Sequence, residues 1–215
     1  YEMKLTPLRS FVFVFASIAC SSQTPPAVTP APSPQPPSLS DTDWGRFRSE
    51  RQSLSIPLPQ GKLWRIDDHS SQWLDAVHTP TQCRVRARTW VAAKAMSLDR
   101  CEQEARSYAP DLPAVVQGSV IDTFESSEWF APGFVSRVVV GIKEADRSRG
   151  TAEGYVLVFG VEAKRCLAMV FTATGAGPEL GDRLNLGTKI AESTIVLSRL
   201  PGKGPLERVQ VPNRE

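Results

Sequence analysis

The chain has 215 residues, of which 41% are hydrophobic and 22% are charged, and its formal net charge at pH 7 is +2. The hydrophobic content is enough for a globular core. The near-neutral charge excludes the strong basic excess that is typical of bulk nucleic-acid binding. We therefore predict one folded domain with a linker, and no nucleic-acid partner.

Residues 1–19 are typical of an export signal peptide. Lys4 and Arg9 form a short basic region, and residues 11–19 form an apolar run of nine residues. Such a run is too short to cross a bilayer, which takes roughly 20 apolar residues. Small residues precede Cys20, as expected at a cleavage site.

The motif Ser17-Ile18-Ala19-Cys20 resembles the lipobox of bacterial lipoproteins, although this family usually has Leu at the position of Ser17. The resemblance implies that the thiol of Cys20 is acylated and that Cys20 becomes the new N-terminus, anchored in the bacterial cell envelope. Ser21 resembles the residue found in lipoproteins sorted to the outer membrane, which implies a domain in the periplasm or at the cell surface. Cleavage by the general signal peptidase, without acylation, remains the alternative.

The segment after Cys20 is a proline-rich spacer. Residues 21–40 contain seven prolines, a composition that favours extended polyproline II structure over a packed core. At about 3.1 Å per residue, the spacer spans on the order of 50 Å. We predict the lipidated cysteine and spacer over residues 20–41, a single folded domain over 42–200 and a flexible tail over 201–215.

The first half of the predicted domain contains short strands and one helix. Alternation of apolar and polar residues predicts a half-buried strand over residues 83–91. Two shorter strands are predicted before it, over residues 64–67 and 73–77. A helix is predicted over residues 97–109, because Ser97 is a good N-cap and apolar side chains recur at helical spacing.

The second half contains four predicted strands and a second helix. The strands are predicted over residues 115–124, 134–142, 154–161 and 166–173, and a polar hairpin loop joins the last two. Pro178 and Glu179 start a helix predicted over residues 178–199. The predicted fold class is α+β, with a largely antiparallel sheet covered by two helices in a single domain.

The order of these elements, together with the sequence LSIPLP at residues 54–59 leading into Trp64, resembles the PsbP family of photosystem II extrinsic proteins. The resemblance covers about residues 45–200 and implies an antiparallel sheet between layers of helices. Members of this family serve diverse binding and assembly tasks, so the resemblance leaves the function open.

The sequence lacks the common signatures of enzymes. It has no P-loop, no glycine fingerprint for dinucleotides, no nucleophile elbow and no His-Glu-x-x-His motif. His69 follows Asp67 and Asp68, and a carboxylate beside an imidazole can serve in acid–base chemistry. The alternative for this segment is a solvated loop. We predict no catalytic residue, no metal site and no cofactor.

Arg84, Arg86 and Arg88 alternate along the predicted strand 83–91, which puts three guanidinium groups on one face within about 14 Å. Guanidinium groups bind carboxylates and phosphates through paired hydrogen bonds. This arginine stripe is therefore a candidate docking patch for an anionic partner. The alternative is a solvated face that is neutralised by acidic residues on neighbouring strands or on a covering loop.

The chain has four cysteines, and the oxidising cell envelope favours disulfide bonds. If Cys20 carries lipid, at most one pair forms among Cys83, Cys101 and Cys166. Cys101 lies on the apolar face of the first predicted helix and Cys166 begins a strand. We therefore rank a Cys101–Cys166 bond ahead of Cys83–Cys101, and three free thiols remain the other alternative.

Together these features predict a membrane-anchored envelope lipoprotein that is not an enzyme and serves as a binding or assembly module. Its predicted partners are the membrane, through the N-terminal lipid, and an envelope protein or glycan. Two other functions stay open. One is a small periplasmic hydrolase that uses Asp67, Asp68 and His69, and the other is a structural envelope protein with no specific ligand.

Overall fold

The computed structural model describes residues 38–146 and 148–197. The predicted signal peptide, the acylation site Cys20, most of the proline-rich spacer and the predicted tail lie outside the described residues. Within the described ranges, no helix is both long enough and apolar enough to cross a membrane.

The described residues form ten strands, two α-helices and one short 3-10 helix. The strands are β1 (Gly45–Ser49), β2 (Leu54–Leu58), β3 (Trp64–Asp67), β4 (Leu74–His78), β5 (Arg84–Val91), β6 (Val120–Ser126), β7 (Val135–Asp146), β8 (Thr151–Glu162), β9 (Arg165–Gly175) and β10 (Ile195–Val196). The helices are α1 (Leu98–Tyr108) and α2 (Gly177–Glu192), and the 3-10 helix (Gly61–Leu63) directly precedes β3.

The strands pair into two antiparallel sheets. The larger sheet has seven strands in the order β3-β4-β5-β9-β8-β7-β6, and the smaller sheet has three in the order β1-β2-β10. Helix α1 packs on one face of the larger sheet, while α2 and the smaller sheet pack on the other. The predicted α+β class, with two helices against a largely antiparallel sheet, is confirmed.

Strand β8 is buried on both faces, as its uninterrupted apolar sequence predicts. Residues 154–160 are all buried. Tyr155, Leu157 and Phe159 pack in the cluster under α1, and the valines between them belong to the cluster under α2. This strand therefore joins the two halves of the hydrophobic core.

The predicted local features of the sheet and of α1 are present. Strands β8 and β9 form a hairpin in which Glu162 pairs with Arg165 across a two-residue turn. Ser97 caps α1, because its hydroxyl oxygen accepts a hydrogen bond from the Arg100 N–H at 3.3 Å. The strand predicted from residue 115 begins at Val120 instead, since a turn precedes it in which the backbone N–H of Ser119 donates to the carbonyl of Val116.

Helix α2 ends at Glu192, earlier than the predicted end at 199. The hydroxyl of Thr194 donates to the carbonyl of Ile190 at 2.7 Å, and the chain then becomes extended. The Val196 N–H donates to the carbonyl of Phe130 at 3.0 Å, outside the helix. The β-branched residues that follow Glu192 thus form β10, because pairing with β2 replaces another helical turn.

The packed core begins before the predicted domain boundary at residue 42. Leu39 is only 9% exposed and belongs to the cluster that contains β2 and α2. The amide of Gln60 donates to the hydroxyl of Ser40 at 2.8 Å. The last residues of the predicted spacer are therefore part of the folded domain.

Candidate functional site

A cleft of about 810 Å³ opens beside the start of β1. Its size lies in the range of small-molecule binding sites. We call it the hairpin cleft, and it is lined by residues 43–47 from the start of β1, Leu58 from β2, residues 60–63 from the 3-10 helix, and Ile66 from β3. The cleft therefore lies where the first hairpin meets the 3-10 helix.

Two glycines allow the 3-10 helix to approach β1 closely. A Cβ atom on Gly61 would lie 2.9 Å from the Cα of Gly45, and a Cβ on Gly45 would lie 3.2 Å from the Cα of Gly61. A Cβ atom almost never lies within 3.0 Å of backbone, so a larger residue at Gly61 would move the two elements apart, and one at Gly45 would require a shift of a few tenths of an ångström. The two glycines, which both line the cleft, thus allow the close approach of the 3-10 helix to β1.

The chain segment that enters the domain is hydrogen-bonded to the same turn. The backbone N–H of Gln60 donates to the carbonyl of Thr42 at 2.8 Å, and the N–H of Gly61 donates to the carbonyl of Asp43 at 3.2 Å. Gln60 has a positive φ of 52°, which turns the chain into the 3-10 helix. The side-chain oxygen of Gln60 is buried and accepts no hydrogen bond from the described residues.

The lining of the cleft is rich in apolar side chains. Trp44 and Leu63 are 40% and 43% exposed, while Leu58 is buried. Phe47 and Ile66 are half-buried. An exposed apolar surface inside a concave site is typical of ligand binding.

The indole ring of Trp44 is held at its edge. Its N–H donates to the carboxylate of Asp41 at 2.8 Å, and the same carboxylate accepts a hydrogen bond from Lys189. The hydrogen bonds from Lys189 and Trp44 keep the pKa of Asp41 below its usual value, and slight burial opposes them. The ring is therefore positioned before any ligand arrives.

Two cations line the cleft, and neither is paired with a carboxylate of the described residues. The guanidinium of Arg46 donates to the hydroxyl of Ser55 and the carbonyl of Ser193, each at 3.3 Å. Lys62 is exposed and has no ion pair or side-chain hydrogen bond with any described residue. Asp43 is the one acidic residue of the lining, so the cleft carries a formal excess of one positive charge.

The arginine stripe is largely satisfied by the chain itself. Arg84 donates two hydrogen bonds to Asp75, at 2.7 and 2.5 Å, and the hydrogen bond with Asp75 raises its pKa. Arg86 donates to Asp111 at 2.5 Å. The carboxylates on β4 and after α1 thus neutralise two of the three guanidinium groups of the candidate docking patch, as the alternative of a neutralised face predicts.

Arg88 lies between aromatic rings instead. Its guanidinium is 3.8 Å from the ring centre of Tyr108 and 5.8 Å from that of Trp90, in the geometry of cation–π contacts. Burial lowers its pKa, and the nearby charge of Arg51 adds to that effect. Arg88 therefore serves packing between β5 and α1 in this structure.

The aspartates beside His69 point in different directions. Asp67 accepts hydrogen bonds from the backbone N–H groups of His69 and Ser70, both at 2.9 Å. Asp68 turns inward, where the hydroxyl of Ser49 donates to it at 2.7 Å. Hydrogen bonds from Ser70 and then from the His69 backbone lower the pKa of Asp67 to about 2, so this carboxylate is a poor general base at neutral pH.

Cys101 and Cys166 form a disulfide bond, with Cα atoms 5.8 Å apart. The bond joins α1 to the start of β9. Cys83 is a free, fully buried thiol, and burial raises its pKa, which makes it a weak nucleophile. Among the described residues, no group of three or more His, Cys, Asp or Glu side chains is arranged to hold a metal ion.

The sequence patterns did not identify the hairpin cleft. Trp44 directly precedes β1 and Leu63 ends the three-residue 3-10 helix, and such short segments carry no periodicity to show which face is exposed. The turn signal at Pro59, Gln60 and Gly61 was the one available cue. It located the bend in the chain but not the strand that packs against it.

The fold and this cleft define a three-layer α+β domain with a concave apolar surface beside its first hairpin. No known protein family matches the chain, and no curated protein matches it in sequence. Solved structures do match. The chain is similar to the Ran-binding protein Mog1p of Saccharomyces cerevisiae, with 5% identity, 73% of this chain and 96% of that chain covered, and a TM-score of 0.50.

Two further solved structures are similar to the chain. One is a PsbP of the cyanobacterium Synechocystis, with 10% identity, 77% of this chain and 99% of that chain covered, and a TM-score of 0.48. The other is a Bacteroides thetaiotaomicron protein, with 12% identity, 78% of this chain and 53% of that chain covered, and a TM-score of 0.44. The chain thus spans about half the length of the Bacteroides protein. Because every identity is this low, the likeness to Mog1p shows a shared fold and nothing about function.

Proposed function

We propose that the protein is a bacterial envelope lipoprotein, anchored through an acylated Cys20, whose domain is a non-enzymatic binding module. The observation that carries the binding function is the hairpin cleft, a preformed apolar site with unpaired cations in its lining. The lipobox-like motif and the seven prolines that follow it support the tether. Residues 40–44 would then link the spacer directly to the binding site.

The state of the other candidate residues also supports a binding role over hydrolysis. Asp67 is held by backbone amides, and Asp68 is occupied by Ser49. His69 is exposed, and the two carboxylates that precede it point in different directions. The free thiol of Cys83 is buried with a raised pKa. These groups lack the nucleophile–base geometry that hydrolysis needs.

The anchor is tested by replacing the acylated cysteine. Cys20→Ala should move the protein from the membrane fraction to the soluble fraction and abolish incorporation of labelled palmitate, because the thiol that carries the lipid is gone. Cys83→Ala is the matched control and should keep both properties. Membrane association of Cys20→Ala equal to that of the unaltered chain, with no palmitate on either, would contradict a lipid anchor.

The binding site is tested by photocrosslinking in the native envelope. A photoreactive amino acid at position 63, in the cleft, should give a specific adduct. The same group at position 121 is the control, because Ile121 is 61% exposed but lies on β6, away from the cleft. Adducts at neither position, or at both equally, would favour a structural envelope protein without a specific ligand.

A further inference from the structure

We infer that the ligand of the hairpin cleft is an amphipathic carboxylate of the fatty-acid class, with a long apolar chain and one anionic head. The inference rests on the proposed binding function of this cleft and names its ligand.

The apolar lining suits a flexible hydrocarbon chain. Trp44, Phe47 and Leu63 contribute exposed or half-exposed carbon surface, and Leu58 and Ile66 also line the cleft. Transfer of each methylene group from water to such a surface is favourable by an amount that adds along the chain. An occupant with several consecutive methylene groups uses this surface better than a sugar or a small polar anion.

The charges of the lining favour one anionic head group. Arg46 has only neutral acceptors among the described residues, and Lys62 has no partner among them. Asp43 offsets one of these two charges, which leaves an excess of a single positive charge. A monoanionic carboxylate at the exposed rim complements this excess, and a cationic head group would be repelled.

The cleft is also distinct from the other basic surface of the domain. Arg84 and Arg86 already face carboxylates of the chain, so an anion there must compete with an internal ion pair. At the hairpin cleft, no carboxylate of the described residues has to be displaced from Arg46 or Lys62. Cations without a carboxylate partner among the described residues therefore coincide with apolar surface at the hairpin cleft.

The test uses the full chain carrying Cys20→Ala, so that its own acyl groups do not occupy the cleft. Decanoate, decyltrimethylammonium and hexanoate are titrated by isothermal calorimetry, with tryptophan fluorescence as a second readout. Decanoate should bind more tightly than decyltrimethylammonium because only its head group matches the charge. It should also bind at least about tenfold more tightly than hexanoate, which lacks four methylene groups.

Substitutions distinguish the contribution of the cations to binding from that of the apolar side chains. Lys62→Gln or Arg46→Gln should weaken decanoate binding about two- to fivefold, as expected for exposed ion pairs. Trp44→Ala or Leu63→Ala should weaken it about tenfold, and Trp44→Phe, which keeps an aromatic ring, should weaken it less. Arg48→Gln is the control, because Arg48 pairs with Glu50 and does not line the cleft.

Equal affinity for decanoate and decyltrimethylammonium would overturn the inference, and so would binding that is indifferent to Trp44→Ala and Lys62→Gln. A specific adduct at position 63 without decanoate binding would leave the binding module standing and point to a protein or glycan partner. Absence of both would remove the binding module together with its ligand.

Discussion

His78 is fully buried at the end of β4 although it carries an ionisable ring. Its Nδ1 atom lies 2.8 Å from the hydroxyl of Thr81, and its ring centre lies 5.3 Å from that of Trp64. Burial lowers its pKa, and the positive charge of Arg183 lowers it further. The folded domain thus holds this imidazole in its neutral form, in contact with the core.

Protonation of His78 should link stability to pH. In the unfolded chain the imidazole binds a proton with a pKa near 6.5, while the folded domain resists protonation, so the unfolded state binds more protons at lower pH. The free energy of unfolding should therefore have its full value above pH 7 and should decrease as the pH falls from 7 to 5. For this single group the slope is at most about 1.4 kcal/mol per pH unit.

Urea denaturation at a series of pH values measures this slope. The chain has only two histidines, which simplifies the assignment. His78→Gln should flatten the dependence between pH 5 and 7, whatever its effect on stability at pH 7. His69→Gln, at an exposed position, should leave the slope unchanged. A slope that survives His78→Gln would show that another group is responsible.

Among the elements, α2 packs against the sheet through a residue without a side chain. Gly187 is buried within the helix, and a Cβ there would lie 2.3 Å from a ring carbon of Phe171 on β9. Phe171 is itself fully buried and cannot move away into solvent. Gly181 lies in the same helix and is exposed, and a Cβ atom added to it would meet no other atom within 4 Å.

Replacing each of these two glycines of α2 by alanine should change the free energy of unfolding in opposite directions. Gly187→Ala should lower the free energy of unfolding by about 1–3 kcal/mol, because it overpacks the interface with Phe171. Gly181→Ala should raise it by about 0.5–1 kcal/mol, because alanine restricts the unfolded chain and fits an open helical position.

Urea denaturation of both variants tests this pair, and adding Phe171→Leu to Gly187→Ala should recover part of the loss. Stabilisation by both alanines, to the same extent, would mean that helix propensity and not contact with Phe171 decides the effect.

Across the whole molecule, the proline-rich spacer and the domain overlap. Leu39 packs in the core, and Asp41 is bound to both Trp44 and Lys189. The residues that complete the spacer therefore also fasten the start of β1 and support the hairpin cleft. The last residues of the spacer thus contact residues that line the candidate binding site.

Removal of residues 38–42 should therefore destabilise the domain. A chain that begins at Asp43 should have a lower free energy of unfolding than one that begins at Ser38, by about 2–3 kcal/mol from the burial of Leu39 alone. Leu39→Ala in the longer chain should reproduce most of this loss. Equal stability of the two chains would show that the domain begins after residue 42.

The sequence predicted those parts of the structure that depend on neighbouring residues. The cap at Ser97, the hairpin between β8 and β9, and the alternation of Arg84 with Val85 all follow from local periodicity and local hydrogen bonding. The fold class also followed, because the number and order of such elements restrict how a sheet and two helices can pack.

Predictions were weakest for features that depend on residues far apart in the chain. The end of α2 was placed too late because the pairing of β10 with β2 involves residues far apart in the chain. The carboxylate partners of Arg84 and Arg86 also come from other elements, Asp75 on β4 and Asp111 after α1. A single strand contains no information about these partners, so the arginine stripe could not be distinguished from an open patch.

Composition and short-range pattern were thus sufficient for the α+β class and for most of the order of strands and helices, and they are the whole basis of the proposed tether. Long-range packing alone decided where the hairpin cleft lies. The hairpin cleft lies where Gly45 and Gly61 allow backbone contact between β1 and the 3-10 helix, and the exposed side chains of Trp44 and Leu63 line it. A contact between two separate segments, with no side chain at its centre, produces no periodic signal in the chain.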